Sequence, residues 1–95
     1  MRILVVEDDA LLAKGLTRVL IRAGHTVDHA STGTEADNAL RSAPYELIVL
    51  DIGLPDIDGF EILRRLRLRR SPTNVLVLTA RDAVEDRVQI GRAHV

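Results

Sequence analysis

Residues 3–9 read ILVVEDD: four apolar side chains run straight into Glu7, Asp8 and Asp9. The apolar run does not alternate, and unbroken hydrophobicity over so short a length suits a strand covered on both faces, as in a parallel sheet. LIVL at 47–50 and VLVL at 75–78 repeat the pattern, while TVDHA at 26–30 alternates like an edge strand. Three consecutive acids at the end of a buried run require an explanation, because neighbouring carboxylates repel and raise one another's pKa unless a cation compensates.

Between these runs the apolar spacing is helical. Leu12, Leu16, Val19, Leu20 and Ala23 fall on one face of a helix after Asp9, with Gly24 as its C-terminal stop. Thr34 to Arg41 predicts a shorter helix closed by Pro44, and Asp58 with Glu61 resembles a capping box opening a third helix through about Arg69. Arg81 to Val88 predicts the start of a fourth. Strand and helix alternate without hairpin signals, so the fold class is α/β, an open parallel sheet wound on both faces by right-handed crossovers.

Ninety-five residues fit one small domain with little core to spare. Thirteen Lys and Arg against 14 Asp and Glu give a formal charge of -1, so no global field favours nucleic acid or an anionic membrane. Cysteine is absent, which excludes disulfides and thiolate chemistry and suits a reducing compartment, with the cytoplasm as the expected location. The first apolar stretch is far short of the roughly 20 residues needed to span a bilayer, and no membrane association is expected.

In an open α/β sheet, ligands bind outside the carboxyl ends of the strands where strand order reverses. The residues there are Glu7 and Asp8 after the first run, Asp51 after the second, and Thr79 and Ala80 after the third. Three carboxylates and a hydroxyl suit a hard cation such as Mg²⁺, which takes oxygen ligands. A cation also makes an Asp useful as a nucleophile toward a phosphoryl group, giving an aspartyl phosphate. Simpler roles exist for each residue alone: Asp8 or Asp9 suits a helix N-cap, Asp51 a turn before Pro55, and Thr79 an ordinary strand position.

The stretches ILVVEDD, LIVLDIGLPDIDGFEILRRLR and VLVLTARDAVEDRV, covering residue 2 to about residue 88, resemble the receiver domain of two-component response regulators, in the style of the OmpR/PhoB subfamily. The resemblance implies a flavodoxin-like, doubly wound fold with strand order 2-1-3-4-5. It implies that Asp51 accepts a phosphoryl group from a sensor histidine kinase. Glu7, Asp8, Asp51 and the backbone carbonyl of Gly53 would hold Mg²⁺, Thr79 would be the switch hydroxyl, and Ala80 the small residue beside the phosphate. Pro55 and Gly59 would shape the loop after Asp51. A receiver is a signalling domain rather than an enzyme; DNA would be met only through a C-terminal output domain absent from these residues, and the intact protein would dimerise on phosphorylation.

The end of the chain departs from that pattern. A receiver continues into a fifth strand ending in a lysine that contacts the phosphoryl group, whereas the only lysine here is Lys14. Residues 1–88 therefore read as a partial receiver lacking the fifth strand and fifth helix, and residues 89–95 as a tail outside the family. QIGRAHV has a permitted reverse translation, CAGATCGGAAGAGCACACGTC, that contains a common short-read sequencing adapter, so the expectation is a gene fragment read through into adapter. Truncation would leave VLVL an uncovered apolar edge, a pairing hazard that predicts marginal stability or self-association, and loss of the lysine predicts impaired signalling.

Other features are weaker. His25 and His29 are separated by a loop and a strand and read as surface histidines rather than a metal pair. RRLRLRR at 64–70 reads as solvated cations favoured by a helix C-terminal dipole rather than as a nucleic-acid patch, and Leu11 reads equally as an exposed contact near the rim where receivers meet kinases or as an ordinary surface leucine. A haloacid-dehalogenase-like phosphatase also uses a strand-end Asp and Mg²⁺, but it needs a second Asp two positions on, where this chain has Gly53. A phosphorylation-independent interaction module is the third class.

Overall fold

The computed structural model describes the backbone of residues 1–79 and 87–92 and the side chains through residue 78. The chain runs β1 (Arg2–Val6), α1 (Ala10–Arg22), β2 (Thr26–Ala30), α2 (Gly33–Ser42), β3 (Leu47–Asp51), α3 (Gly59–Leu68), β4 (Asn74–Thr79) and β5 (Arg87–Arg92). The sheet order is β2-β1-β3-β4-β5, and the first four strands are parallel. The four parallel strands follow the flavodoxin-like order expected from the sequence, with the three apolar runs as central strands of the sheet.

Alternation within each run divides the core into two layers. Leu4, Val6, Ile48, Leu50, Val75 and Val77 face α2 and α3, meeting Ala36, Ile62 and Leu66. Ile3, Val5 and Val49 face the other way, against Leu16 and Leu20 of α1. Burial of such a side chain contributes about 1.5–3 kcal/mol, which is why these runs carry no polar residue until their ends. The register sets Val6, Leu50 and Val77 side by side, so β1 and β3 end at the same height.

Helix boundaries follow their caps. Asp9 caps α1 by accepting from the Leu11 and Leu12 amides at 3.0 and 3.1 Å, and Gly24, with φ 96°, supplies the left-handed turn that ends it. The packed face of α1 differs from the expected one: Leu12 and Val19 are 42% and 65% exposed, while Ala13 is buried and Leu16 and Leu20 pack against the sheet. Helix α2 begins one residue earlier than expected, on the N-cap Thr32. Asp58 does cap α3, but the capping box does not close, because Glu61 turns away to bond Arg64 and Arg65.

The arginines of α3 are structural. Asp37 of α2 is buried and is reached by Arg41, Arg65 and Arg69 at 3.2, 3.2 and 3.5 Å, which ties α2 to α3. At the opposite end of the sheet, Tyr45 Oη donates to Asp28 Oδ2 at 2.6 Å while Arg2 bonds the same oxygen at 3.0 Å, joining β1, β2 and the start of β3.

The end of the chain corrects two expectations. Arg81 to Asp86 lie outside the described residues, but Arg87 and Val88 belong to β5 rather than to a fourth helix. Strand β5 pairs antiparallel along all of β4, so VLVL is covered rather than left as an open edge; the parallel part of the sheet stops at four strands, and β5 is not the parallel fifth strand of a receiver. The reason is connection length: an antiparallel partner returns through a short loop, whereas a parallel one needs a crossover of roughly a dozen residues or more. An apolar β4 edge with unpaired backbone groups favours whichever partner can reach it.

Arg70, just beyond α3, has φ 53°. A left-handed backbone costs a side-chain-bearing residue about 1–2 kcal/mol relative to glycine. Arg70→Gly is therefore expected to raise stability by about 1 kcal/mol, seen in urea denaturation as a higher midpoint at unchanged slope; a lower midpoint would mean that the Arg70 side chain contributes more than the backbone strain costs.

Candidate functional site

The site lies where the strand order reverses, at the carboxyl ends of β1 and β3. Val6 and Leu50 are the last fully buried residues of their strands, and the next residue in each is an acid. Glu7 N donates to the Ala30 carbonyl at 3.0 Å and Ile52 N to that of Leu78 at 3.4 Å, so the backbone stays sheet-like one step past the strands. Glu7 and Asp51 are thus held nearly out of water, at 3% and 8% exposure, with Asp8 beside them at the surface.

One carboxylate oxygen from each of Glu7, Asp8 and Asp51 lies within 4.8 Å of the others. Burial raises the Glu7 carboxyl to about 7, opposed by the Asp9 amide at 3.2 Å and reinforced by hydrogen bonding and repulsion from Asp51 and hydrogen bonding with Asp8. Burial is the main cause of the upward shift, and the neighbouring acids add to it. The donor set, all oxygen, fits a hard divalent cation.

The acids of EDD divide their work. Asp9 is the helix cap and leaves the cluster, whereas Asp8 joins it; sequence alone allowed either to cap. Gly53 N donates to Asp51 Oδ1 at 3.1 Å, which places the Gly53 backbone against the cluster. Thr79 ends β4 one residue beyond Leu78, the partner of Asp51 in the register; Ala80 lies outside the described residues. His29 Nε2 donates to the Glu7 carbonyl at 2.8 Å, and His25 Nδ1 sits 3.1 Å from the terminal ammonium, so the two histidines serve separate backbone contacts. Leu11 is 82% exposed.

Sequence reasoning missed one residue close to the site. Asp56, in the loop after Asp51, accepts from Gly33 N at 2.7 Å, Thr34 N at 3.0 Å and Thr34 Oγ1 at 2.6 Å. Those bonds hold its carboxyl well below the usual range. The missed signal is an Asp near a Gly-Thr pair at a helix start, which only the tertiary contact reveals.

The family profile "Response regulator receiver domain" matches residues 3–95. The chain belongs to the response regulator receiver family. Among curated proteins it is 50% identical over 88 residues to the transcriptional regulatory protein PmrA of Pectobacterium parmentieri, covering 93% of this chain and 40% of that one. It is 46% identical over 89 residues to QseB of Escherichia coli O157:H7, covering 94% and 41%. The chain therefore spans about two fifths of the length of these relatives. Among solved structures, the Francisella response regulator 1452 receiver domain superposes with a TM-score of 0.81 at 31% identity, covering 88% of this chain and 69% of that one. TrrA of Thermotoga maritima, in complex with Mg²⁺ and beryllofluoride, gives 0.80 at 33% identity, covering 88% and 73%. Receivers of this family are signalling domains that work with sensor kinases and bind Mg²⁺ at an acidic site, and the curated relatives are transcriptional regulators. Among the described residues, no helix is long and apolar enough to cross a membrane.

The raised Glu7 carboxyl sets a pH dependence. The folded chain keeps the proton that the unfolded chain releases near 4.5, so the contribution of Glu7 to stability is fully present below that value and is lost as pH rises through about 7. In metal-free buffer the melting temperature is expected to fall across this interval, and Glu7→Gln is expected to flatten the fall. An equally steep fall in the variant would place the responsible group elsewhere.

Proposed function

We propose that Asp51 is the phosphoacceptor of this receiver, working with Mg²⁺ held by Glu7, Asp8, Asp51 and the Gly53 carbonyl. The observation that carries the reading is the convergence of three carboxylates, two of them buried, at the reversal of strand order. In the reaction, a carboxylate oxygen of Asp51 bonds to phosphorus as the bond from phosphorus to a histidine nitrogen of the sensor kinase breaks, and the imidazole leaves. Mg²⁺, when bound, neutralises charge on the phosphoryl oxygens.

The protein's own groups orient the nucleophile. Gly53 N–H fixes one Asp51 oxygen, and the walls of β1 and β3 keep the carboxylate from turning into solvent. Glu7, whose carboxyl is raised chiefly by burial and further by Asp51 and Asp8, would hold the cation in its deprotonated form. We assign Thr79 as the switch hydroxyl, from its place at the end of β4 beside the Asp51 level, and Ala80 as the small residue that leaves it room. Chemistry is limited to self-catalysed phosphotransfer and dephosphorylation: two positions after Asp51, where a phosphatase of the dehalogenase type needs an acid-base carboxyl, Gly53 offers only backbone. In the longer protein the receiver would control a DNA-binding output in the cytoplasm, with dimerisation on phosphorylation.

Incubation with acetyl phosphate and Mg²⁺ is expected to add one phosphoryl mass to the intact chain and none to Asp51→Asn. An equal gain in the variant would move the acceptor to another residue. Magnesium affinity is expected to rise from pH 5.5 to 8 as the Glu7 proton becomes easier to displace, and calorimetric titration showing no such rise would remove Glu7 from the metal site.

A further inference from the structure

The loop between Asp51 and α3 packs Ile52, Leu54 and Ile57 on the core and is held by hydrogen bonds at two places. At its base, Gly59 N donates to the Ile52 carbonyl at 3.2 Å, and a Cβ on Gly59 would lie 2.8 Å from Ile52 Cα, so only glycine permits this closure. At its crest, Asp56 reaches across to the first turn of α2 and accepts from both amides and the hydroxyl of Gly33 and Thr34. The approach is equally close there, since a Cβ on Gly33 would meet Ile57 Cβ at 2.5 Å. Three charge-assisted bonds to a helix N-terminus, where the dipole favours an anion, make this the strongest local tie on the loop.

We propose that Asp56 is a positioning residue for the acidic site: by latching the loop to α2 it fixes the Gly53 backbone beside Asp51. Gly53 has no side chain to anchor itself and only its amide is bound to Asp51, so its orientation depends on the segment that follows. With the latch closed, residues 52–58 are fixed at Ile52, at Asp56 and at the N-cap Asp58, which bonds Phe60 N at 2.9 Å. Released at Asp56, the loop keeps its two ends and the packing of Leu54 and Ile57 but loses its hydrogen bonds to α2, which loosens the Gly53 backbone. The inference rests on the proposed roles of Asp51 and Gly53.

The test uses the full chain and four variants, each first shown to be folded at the working temperature by urea denaturation. Asp56→Ala is expected to weaken Mg²⁺ binding roughly tenfold, the scale typical of losing a group that orients a metal ligand, and to slow phosphoryl uptake from acetyl phosphate even at saturating Mg²⁺. Thr34→Val, which keeps both amide donors and removes only the hydroxyl, should lose less in the same direction, and Thr34→Ser should restore the parent behaviour. Tyr45→Phe, which breaks the Asp28 bond at the far end of the sheet, serves as a destabilised control and should bind Mg²⁺ as the parent does.

Parent-like Mg²⁺ affinity in both Asp56→Ala and Thr34→Val overturns the latch, as does an equal loss in Tyr45→Phe. If Asp56→Ala proves unfolded, Thr34→Val decides the matter alone. Failure of the underlying reading looks different: Asp51→Asn would then accept phosphate like the parent, whatever the Asp56 variants do.

Discussion

Two buried carboxylates and a third at the surface, all within 4.8 Å, are a repulsive arrangement that the rest of the fold has to sustain. They stay together because β1 and β3 are adjacent, parallel and in register, so that each strand delivers its first acid at the same height. Neither acid can retreat, since Val6 and Leu50 immediately before them are fully buried. Burial first, and the neighbouring acids second, push the Glu7 carboxyl up, and a divalent cation would relieve both by supplying the opposite charge.

Surrounding contacts isolate that cluster from competing roles. Asp9 takes over the capping of α1, which leaves Asp8 for the site. Asp56 serves the N-terminus of α2, and Arg64, Arg65 and Arg69 are paired with Glu61 and Asp37, so these charges have partners outside the cluster. The Asp28, Arg2 and Tyr45 network closes the opposite end of the sheet. Acidic chemistry is thus confined to one rim by the same bonds that hold the helices in place.

The parallel core and the acids at its edge were legible because burial on both faces leaves unbroken apolar runs, and their ends mark where water begins. Helix faces were less legible: α1 turns Leu12 and Val19 outward, because an apolar stripe wider than the contact with the sheet does not say which part is covered. The unclosed capping box at Asp58 shows the same limit, as Glu61 had both a backbone amide and two arginines within reach and the arginines prevailed. The antiparallel β5 was not legible at all, because its pairing is set by an available edge and a short connection rather than by its own sequence. Asp56 escaped for a related reason: its partners are 22 and 23 residues away in sequence.

The most direct test of the central claim is calorimetric titration of Mg²⁺ at pH 7 in two buffers of different ionisation enthalpy, which counts protons released on binding. With the Glu7 carboxyl near 7, about half a proton should leave per cation bound, and the release should vanish in Glu7→Gln. Binding without proton release, or release unchanged in that variant, would contradict the account that repulsion among Glu7, Asp8 and Asp51 is what the cation relieves.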